Sequence, residues 1–109
     1  MLAEARTRIH RYTPAEAASD SELLLVDIRS ADERERTGVI PGSTHVPYSV
    51  IQWRADPTSE WRDDALVGRR LCLVCMEGYS SSLAAASLVD LGVDAGDLVG
   101  GYEGWAPGR

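Results

Sequence analysis

Two short, uninterrupted apolar runs constrain this chain more than anything else in it: "ELLLVDIR" over 22–29 and "RLCLVC" over 70–75. Both are far too short to cross a bilayer. A run that is apolar at nearly every position, not at every second one, suits a β-strand covered on both faces. Strands of that kind belong to parallel sheets, where crossover helices lie on the two sides.

Helix signals stand between the runs. In "YTPAEAA", Thr13 is a cap residue, Pro14 opens the helix and Glu16 completes a capping box. In "SADERERTG", Ser30 and Glu33 repeat that pattern and Gly38 is the stop. A helix is expected over Ser81–Leu91, ended by Gly92. The segment "VIPGSTHVP" turns at Pro41 and Gly42, then runs extended toward Val46. Short helical pieces broken at Pro57 are expected between 48 and 68. "DLVGGYEGW" reads as a third short strand, a double-glycine turn and a last helical turn. Strands alternating with helices predict an α/β fold, a parallel central sheet flanked by helices on both faces.

At 109 residues the chain is expected to form one domain over 1–109, with 1–11 as an N-terminal lead-in. The net charge of -6 argues against nucleic acid as a partner and against a polybasic membrane anchor. It also gives anions no global attraction, so any anionic ligand must be recognised locally. The basic residues are all Arg. "MLAEARTRIH" is charged throughout and lacks the apolar core of a signal peptide, so a soluble cytoplasmic protein is expected.

Cys75 ends the second apolar run and stands just before the Ser81 helix. Ligands of parallel sheets bind beyond the carboxyl ends of the strands. The free N–H groups of a loop and a first helical turn point toward such a position, and the helix dipole favours a thiolate there. The same N–H groups can hold an anion on that sulfur. Gly78 lets the loop curl, and the Ser80 and Ser81 hydroxyls can donate or cap the helix. Met76, Glu77, Gly78, Tyr79, Ser80 and Ser81 are therefore the expected substrate-binding residues around Cys75. Free cysteines are also among the most buried residues, and the local sequence alone leaves a structural thiol equally open.

A redox pair with Cys72 is disfavoured. Three residues along a strand span ~10 Å and put the side chains on opposite faces, whereas a disulfide needs Cα atoms within about 7 Å. Cys72 reads as core. His10 and His45 have no ligand spacing around the cysteines, so no metal is expected.

Three ordered segments resemble the rhodanese-like sulfurtransferase family. "LLLVDIRSADERERTGVIPGSTHVP" is similar to its N-terminal signature, a strand ending in Asp-x-Arg (Asp27, Arg29), a helix, then Gly-His-Ile-Pro-Gly-Ala, with Val39 in place of the His. "VCMEGYSSSLAAASL" resembles its active loop, Cys-x-x-Gly-x-Arg-Ser, and "LVGGYEGW" its closing Gly-Gly…Trp element. The resemblance spans Tyr12 to Trp105. It implies sulfur transfer without metal or organic cofactor. Cys75 would take a sulfane sulfur from thiosulfate or a persulfide, including a persulfide-donating protein, and pass it to cyanide or a thiol. Ser80 stands where the family has Arg. A missing charge-assisted hydrogen bond is worth about 1.5–3 kcal/mol, or roughly ten- to a hundredfold in anion affinity. Glu77 adds repulsion toward a dianion, so thiosulfate is expected to be a poor donor. The alternatives are a binding or regulatory module on the same fold, and an oxyanion enzyme such as a phosphatase or arsenate reductase, which the loop without Arg disfavours.

Other candidates have plainer readings. Asp27 and Arg29 suit a structural ion pair, and His45 a structural hydrogen bond beside the Pro-Gly turn. "ADERER" suits a solvated helix face. Tyr79 is a rim residue or a pocket-mouth residue. Trp53, Trp61 and Trp105 are expected in the core or at a rim, with a pocket role open for the first two.

Overall fold

A computed structural model of the chain describes residues 2–105. The strands are β1 (His10–Tyr12), β2 (Leu23–Asp27), β3 (Thr44–His45), β4 (Arg70–Val74) and β5 (Ala95–Leu98). The helices are α1 (Leu2–Thr7), α2 (Pro14–Ser19), α3 (Ala31–Thr37), α4 (Ile51–Ala55), α5 (Ser80–Asp90) and α6 (Gly101–Trp105). The strands form one parallel sheet in the order β1-β5-β4-β2-β3. This is the α/β architecture that the two apolar runs require.

β4 sits in the middle, and its alternating side chains serve two cores. Leu71 and Leu73 join Val26, Ile28 and Ala95 on one face, under Ile51 and Ala55 of α4 and Ala84, Ala85 and Leu88 of α5. Cys72 and Val74 join Leu23 and Leu98 on the other, with Ala17 of α2, Ile40, Tyr102 and Trp105. Cys72 is thus a core residue. Burial and the nearby charge of Asp97 push its thiol well above the ordinary range, which makes it inert.

Both capping boxes form: Thr13 accepts from the Glu16 amide and Ser30 from the Glu33 amide, and each glutamate returns a bond to its cap. α5 begins one residue before the expected Ser81. Its N-cap is Tyr79, which makes no side-chain cap bond, so neither Ser80 nor Ser81 caps it. The segment 48–68 holds a 3-10 turn at Tyr48–Val50 and α4, and beyond Pro57 it proceeds through turns. Of the core and rim positions expected for the tryptophans, Trp105 packs inward, whereas Trp53 and Trp61 are exposed and contribute to neither core. Within the N-terminal lead-in, residues 2–11 hold α1 and the start of β1. α1 lies along α5, and β1 pairs with β5. No helix of the described residues is long and apolar enough to cross a membrane.

Asp27 and Arg29 are both buried, and they lock the end of β2. Arg29 Nε and Nη2 donate to Asp27 at 3.0 and 2.8 Å, Nη1 donates to Thr37 Oγ1 at 2.8 Å, and Nη2 also reaches the Gly38 carbonyl at 2.8 Å. The guanidinium lies 4.1 Å over the Tyr102 ring, and Arg34 adds a second cation to Asp27. His45 Nε2 donates to the Arg29 carbonyl at 2.8 Å, a structural role. Burial alone would raise the Asp27 carboxyl, but the Arg29 side-chain and backbone bonds and the two positive charges hold it below the usual carboxylate range.

Two predictions follow from this pair. Arg29→Ala leaves a buried carboxylate with too few donors and should lower the unfolding free energy by about 3–5 kcal/mol, measured by urea denaturation. A depressed folded-state carboxyl stabilises fully above its unfolded value, near pH 4, and that contribution is lost as pH falls through the lower folded value. Stability should therefore drop on acidification below about pH 4, and the drop should be shallower in Asp27→Asn.

Candidate active site

The chain leaves β2 toward β3 on one side of the sheet and leaves β4 toward β5 on the other. Between these adjacent strands their connections diverge, which is where parallel sheets open a ligand crevice. A cleft of ≈ 420 Å³ lies there. Cys75, Met76, Glu77, Tyr79 and Ser80 form one wall, and Ser30, Glu33 and Tyr48 stand on the opposite one. The size suits a small molecule or the tip of a larger one. A smaller cleft of ≈ 280 Å³ adjoins it at Tyr48, bordered by Gln52 and Trp53, and has no cysteine in its lining.

Cys75 follows the last residue of β4 and is 7% exposed. The loop wraps the sulfur. The Gly78 amide donates to Cys75 Sγ at 3.0 Å, the Ser81 amide at 3.4 Å, and Ser81 Oγ lies 3.3 Å away. Among the described residues the Glu77 and Tyr79 amides donate to no protein acceptor. The inward turn depends on Gly78, whose φ of 96° is costly for any other residue, and a Cβ there would approach the Gly100 amide at 3.2 Å. α6 closes the loop from the far side. Its Tyr102 and Glu103 amides donate to the carbonyls of Cys75 and Met76 at 2.8 and 3.1 Å. This requires glycine at 101, because a Cβ would fall 2.4 Å from the Cys75 carbonyl oxygen.

The expected residues divide into two groups. Met76, Glu77, Tyr79 and Ser80 line the cleft beside Cys75. Gly78 and Ser81 are buried behind it, with their amides on the sulfur. Ser80, in place of the arginine the resemblance leads one to expect, is exposed in the cleft wall. Arg29 does not compensate for it: its side chain is fully buried in the Asp27 pair. The charged side chains facing the open cleft are the carboxylates of Glu33 and Glu77.

Four residues of the site were not legible beforehand. Arg6 and Arg11 donate to the Gly78 carbonyl from behind, at 3.0 and 3.4 Å, and Ser82 Oγ, whose one proton goes to Asp97, accepts from Arg6 Nε at 3.1 Å. The cations that the loop lacks thus come from α1 and β1, on the side away from the cleft. Asp97 of β5 is fully buried beneath the loop. It accepts from Ser81 Oγ at 2.8 Å, Ser82 Oγ at 2.7 Å and Arg11 Nε at 2.9 Å. An aspartate inside the strand "AGDL" was the available signal, since a buried carboxylate demands donors. Among the described residues no cluster of three His, Cys, Asp or Glu could hold a metal ion.

Comparison with known proteins agrees with this geometry. The adenylyltransferase and sulfurtransferase UBA4 of Yarrowia lipolytica is 29% identical over 99 residues, covering 89% of this chain and 24% of that protein. The chain therefore spans about a quarter of that relative's length. A protein of unknown function from Rhodopseudomonas palustris, described as a possible tyrosine phosphatase, is 30% identical with a TM-score of 0.89, covering 97% of this chain and 86% of that one. The rhodanese homolog of Thermus thermophilus is 30% identical with a TM-score of 0.60, covering 87% and 99%. The family model for the rhodanese-like domain matches residues 13–107. With a parallel sheet, a cysteine at the end of its central strand and a loop folded around that sulfur, the chain belongs to the rhodanese-like domain family.

Proposed function

We propose that this protein is a sulfurtransferase that carries a sulfane sulfur on Cys75. The observation that supports this best is the sulfur's position at the strand end, with the Gly78 and Ser81 amides aimed at it. Backbone donors fixed in place stabilise a thiolate, and they can also stabilise the negative terminal sulfur of a persulfide. With a persulfide donor R–S–SH, the Cys75 thiolate attacks the outer sulfur. The donor S–S bond breaks, a new S–S bond forms at Cys75, and the proton of the outer sulfur leaves with R–SH. Cyanide or an acceptor thiolate then attacks the terminal sulfur and regenerates the Cys75 thiolate. The name of the UBA4 relative includes sulfurtransferase activity, in keeping with this reading.

The donor is a persulfide, small or on a protein, in preference to thiosulfate. Glu33 and Glu77 face the cleft, Ser80 replaces the loop arginine, and the nearest guanidinium in the lining, Arg29, is buried in its ion pair. A dianion meets repulsion there. The same argument weighs against phosphate-ester chemistry, which the description of the R. palustris protein raises. A dianionic phosphate needs a cation in the loop.

Intact-mass measurement after incubation with polysulfide should give a gain of one sulfur atom. The gain should persist in Cys72→Ala and vanish in Cys75→Ala. Absence of any gain with polysulfide or thiosulfate would leave a binding module on the same fold as the better reading. Ser80→Arg should lower the KM for thiosulfate, with cyanide as acceptor, by roughly ten- to a hundredfold. A wild-type KM already as low as that of the variant would refute the argument about the donor.

A further inference from the structure

Asp97, Ser81 and Cys75 form a chain of hydrogen bonds buried under the active loop. A serine hydroxyl has one proton and two acceptor sites, and an ionised carboxylate only accepts. The 2.8 Å bond from Ser81 Oγ to Asp97 Oδ2 therefore uses the one Ser81 proton. The face of Ser81 Oγ turned to Cys75 Sγ, 3.3 Å away, is then a lone pair. The direction of that contact follows: the Cys75 thiol donates and Ser81 accepts. Two backbone amides favour the thiolate while this hydroxyl favours the thiol.

We propose that Asp97 is a positioning residue that acts on Cys75 through Ser81: by holding the Ser81 proton, it keeps the resting cysteine a thiol. The proposal rests on the reading of Cys75 as the nucleophile. No proton passes to Asp97. When Cys75 ionises, its proton leaves through the cleft to solvent, and the Ser81 hydroxyl turns from Asp97 to the sulfur. Asp97 can release it because Ser82 Oγ and Arg11 Nε still donate, at 2.7 and 2.9 Å. A buried carboxylate with the Ser81 bond alone could not.

The charged groups around the sulfur are Glu77 on its own loop, Arg6 of α1 and Arg11 of β1 behind Gly78, Arg29 and Glu33 across the cleft, Glu103 of α6 and Asp97 of β5. Among the described residues Asp97 is the one linked to Cys75 through a hydroxyl. Asn at 97 would reverse the chain, since its amide N–H can donate to Ser81 Oγ and leave the Ser81 proton for the sulfur.

The test is the pH profile of Cys75 alkylation by iodoacetamide, read by peptide mass on the full chain. Asp97→Asn should lower the midpoint by about one pH unit, an about tenfold faster reaction on the acid side. In a Ser81→Ala background the same substitution should have less than half that effect. An unchanged midpoint, or an equal shift in both backgrounds, would overturn the proposal, the latter because the carboxylate would then act through space and not through Ser81. Should Asp97→Asn not fold, the Asp97 carboxyl carbon NMR resonance of the otherwise unaltered protein decides. It should move with the Cys75 midpoint, and this response should be lost in Ser81→Ala. A resonance that ignores the Cys75 titration, or follows it equally in Ser81→Ala, would refute the coupling. Alkylation reports on the thiol whether or not sulfur is transferred. A protein that alkylates as expected yet takes up no polysulfide sulfur would refute the sulfurtransferase reading and leave this assignment standing.

Discussion

The structure depends on β4 being paired on both edges and covered on both faces. β2 and β5 take its backbone hydrogen bonds, and the two cores take its alternating side chains. Nothing in the strand is free for chemistry. Where the strand ends at Val74, the pairing also ends, and the next backbone amides have no neighbouring strand to satisfy them. Two of them, the Gly78 and Ser81 amides, donate to the Cys75 sulfur. The chemistry of the site is thus a product of how the sheet terminates, and the α6 amides complete the termination by taking the Cys75 and Met76 carbonyls.

Charge is arranged in layers about that loop. The cleft side carries Glu33 and Glu77, and the rear carries Arg6 and Arg11. Two buried aspartates sit on opposite faces of the sheet, and each is neutralised by an arginine: Asp27 by Arg29 and Asp97 by Arg11. A buried charge whose partner is lost is far more costly than a surface pair, so these two bonds set the geometry around the site firmly. The cleft side therefore offers no counter-charge to an incoming dianion.

Local signals were legible and non-local ones were not. The apolar runs, both capping boxes and the Gly78 turn depend on neighbours within a few residues, and the sequence states them directly. The loop residues beside Cys75 were found the same way. β1 was missed because it is three residues long, sits at the sheet edge and buries only Tyr12. Arg6, Arg11 and Asp97 were missed because their partners lie 72, 86 and 16 residues away along the chain. Trp53 and Trp61 show the converse limit: residue type left core, rim and pocket positions open, and the short α4 and the turns beyond it place both rings outside the cores, Trp53 at the border of a cleft.

The bracing of Gly78 by α1 and β1 bears on where this unit should be cut. The rhodanese-like family model begins at residue 13, after Arg6 and Arg11. A fragment trimmed to that boundary would keep Cys75 and every residue of the loop. It would lose both guanidinium groups behind the Gly78 carbonyl, one of which, that of Arg11, also neutralises Asp97. The working boundary of this unit is therefore earlier than its recognisable one, and a fusion or truncation drawn at the recognisable edge would leave an intact motif on a loop without its support.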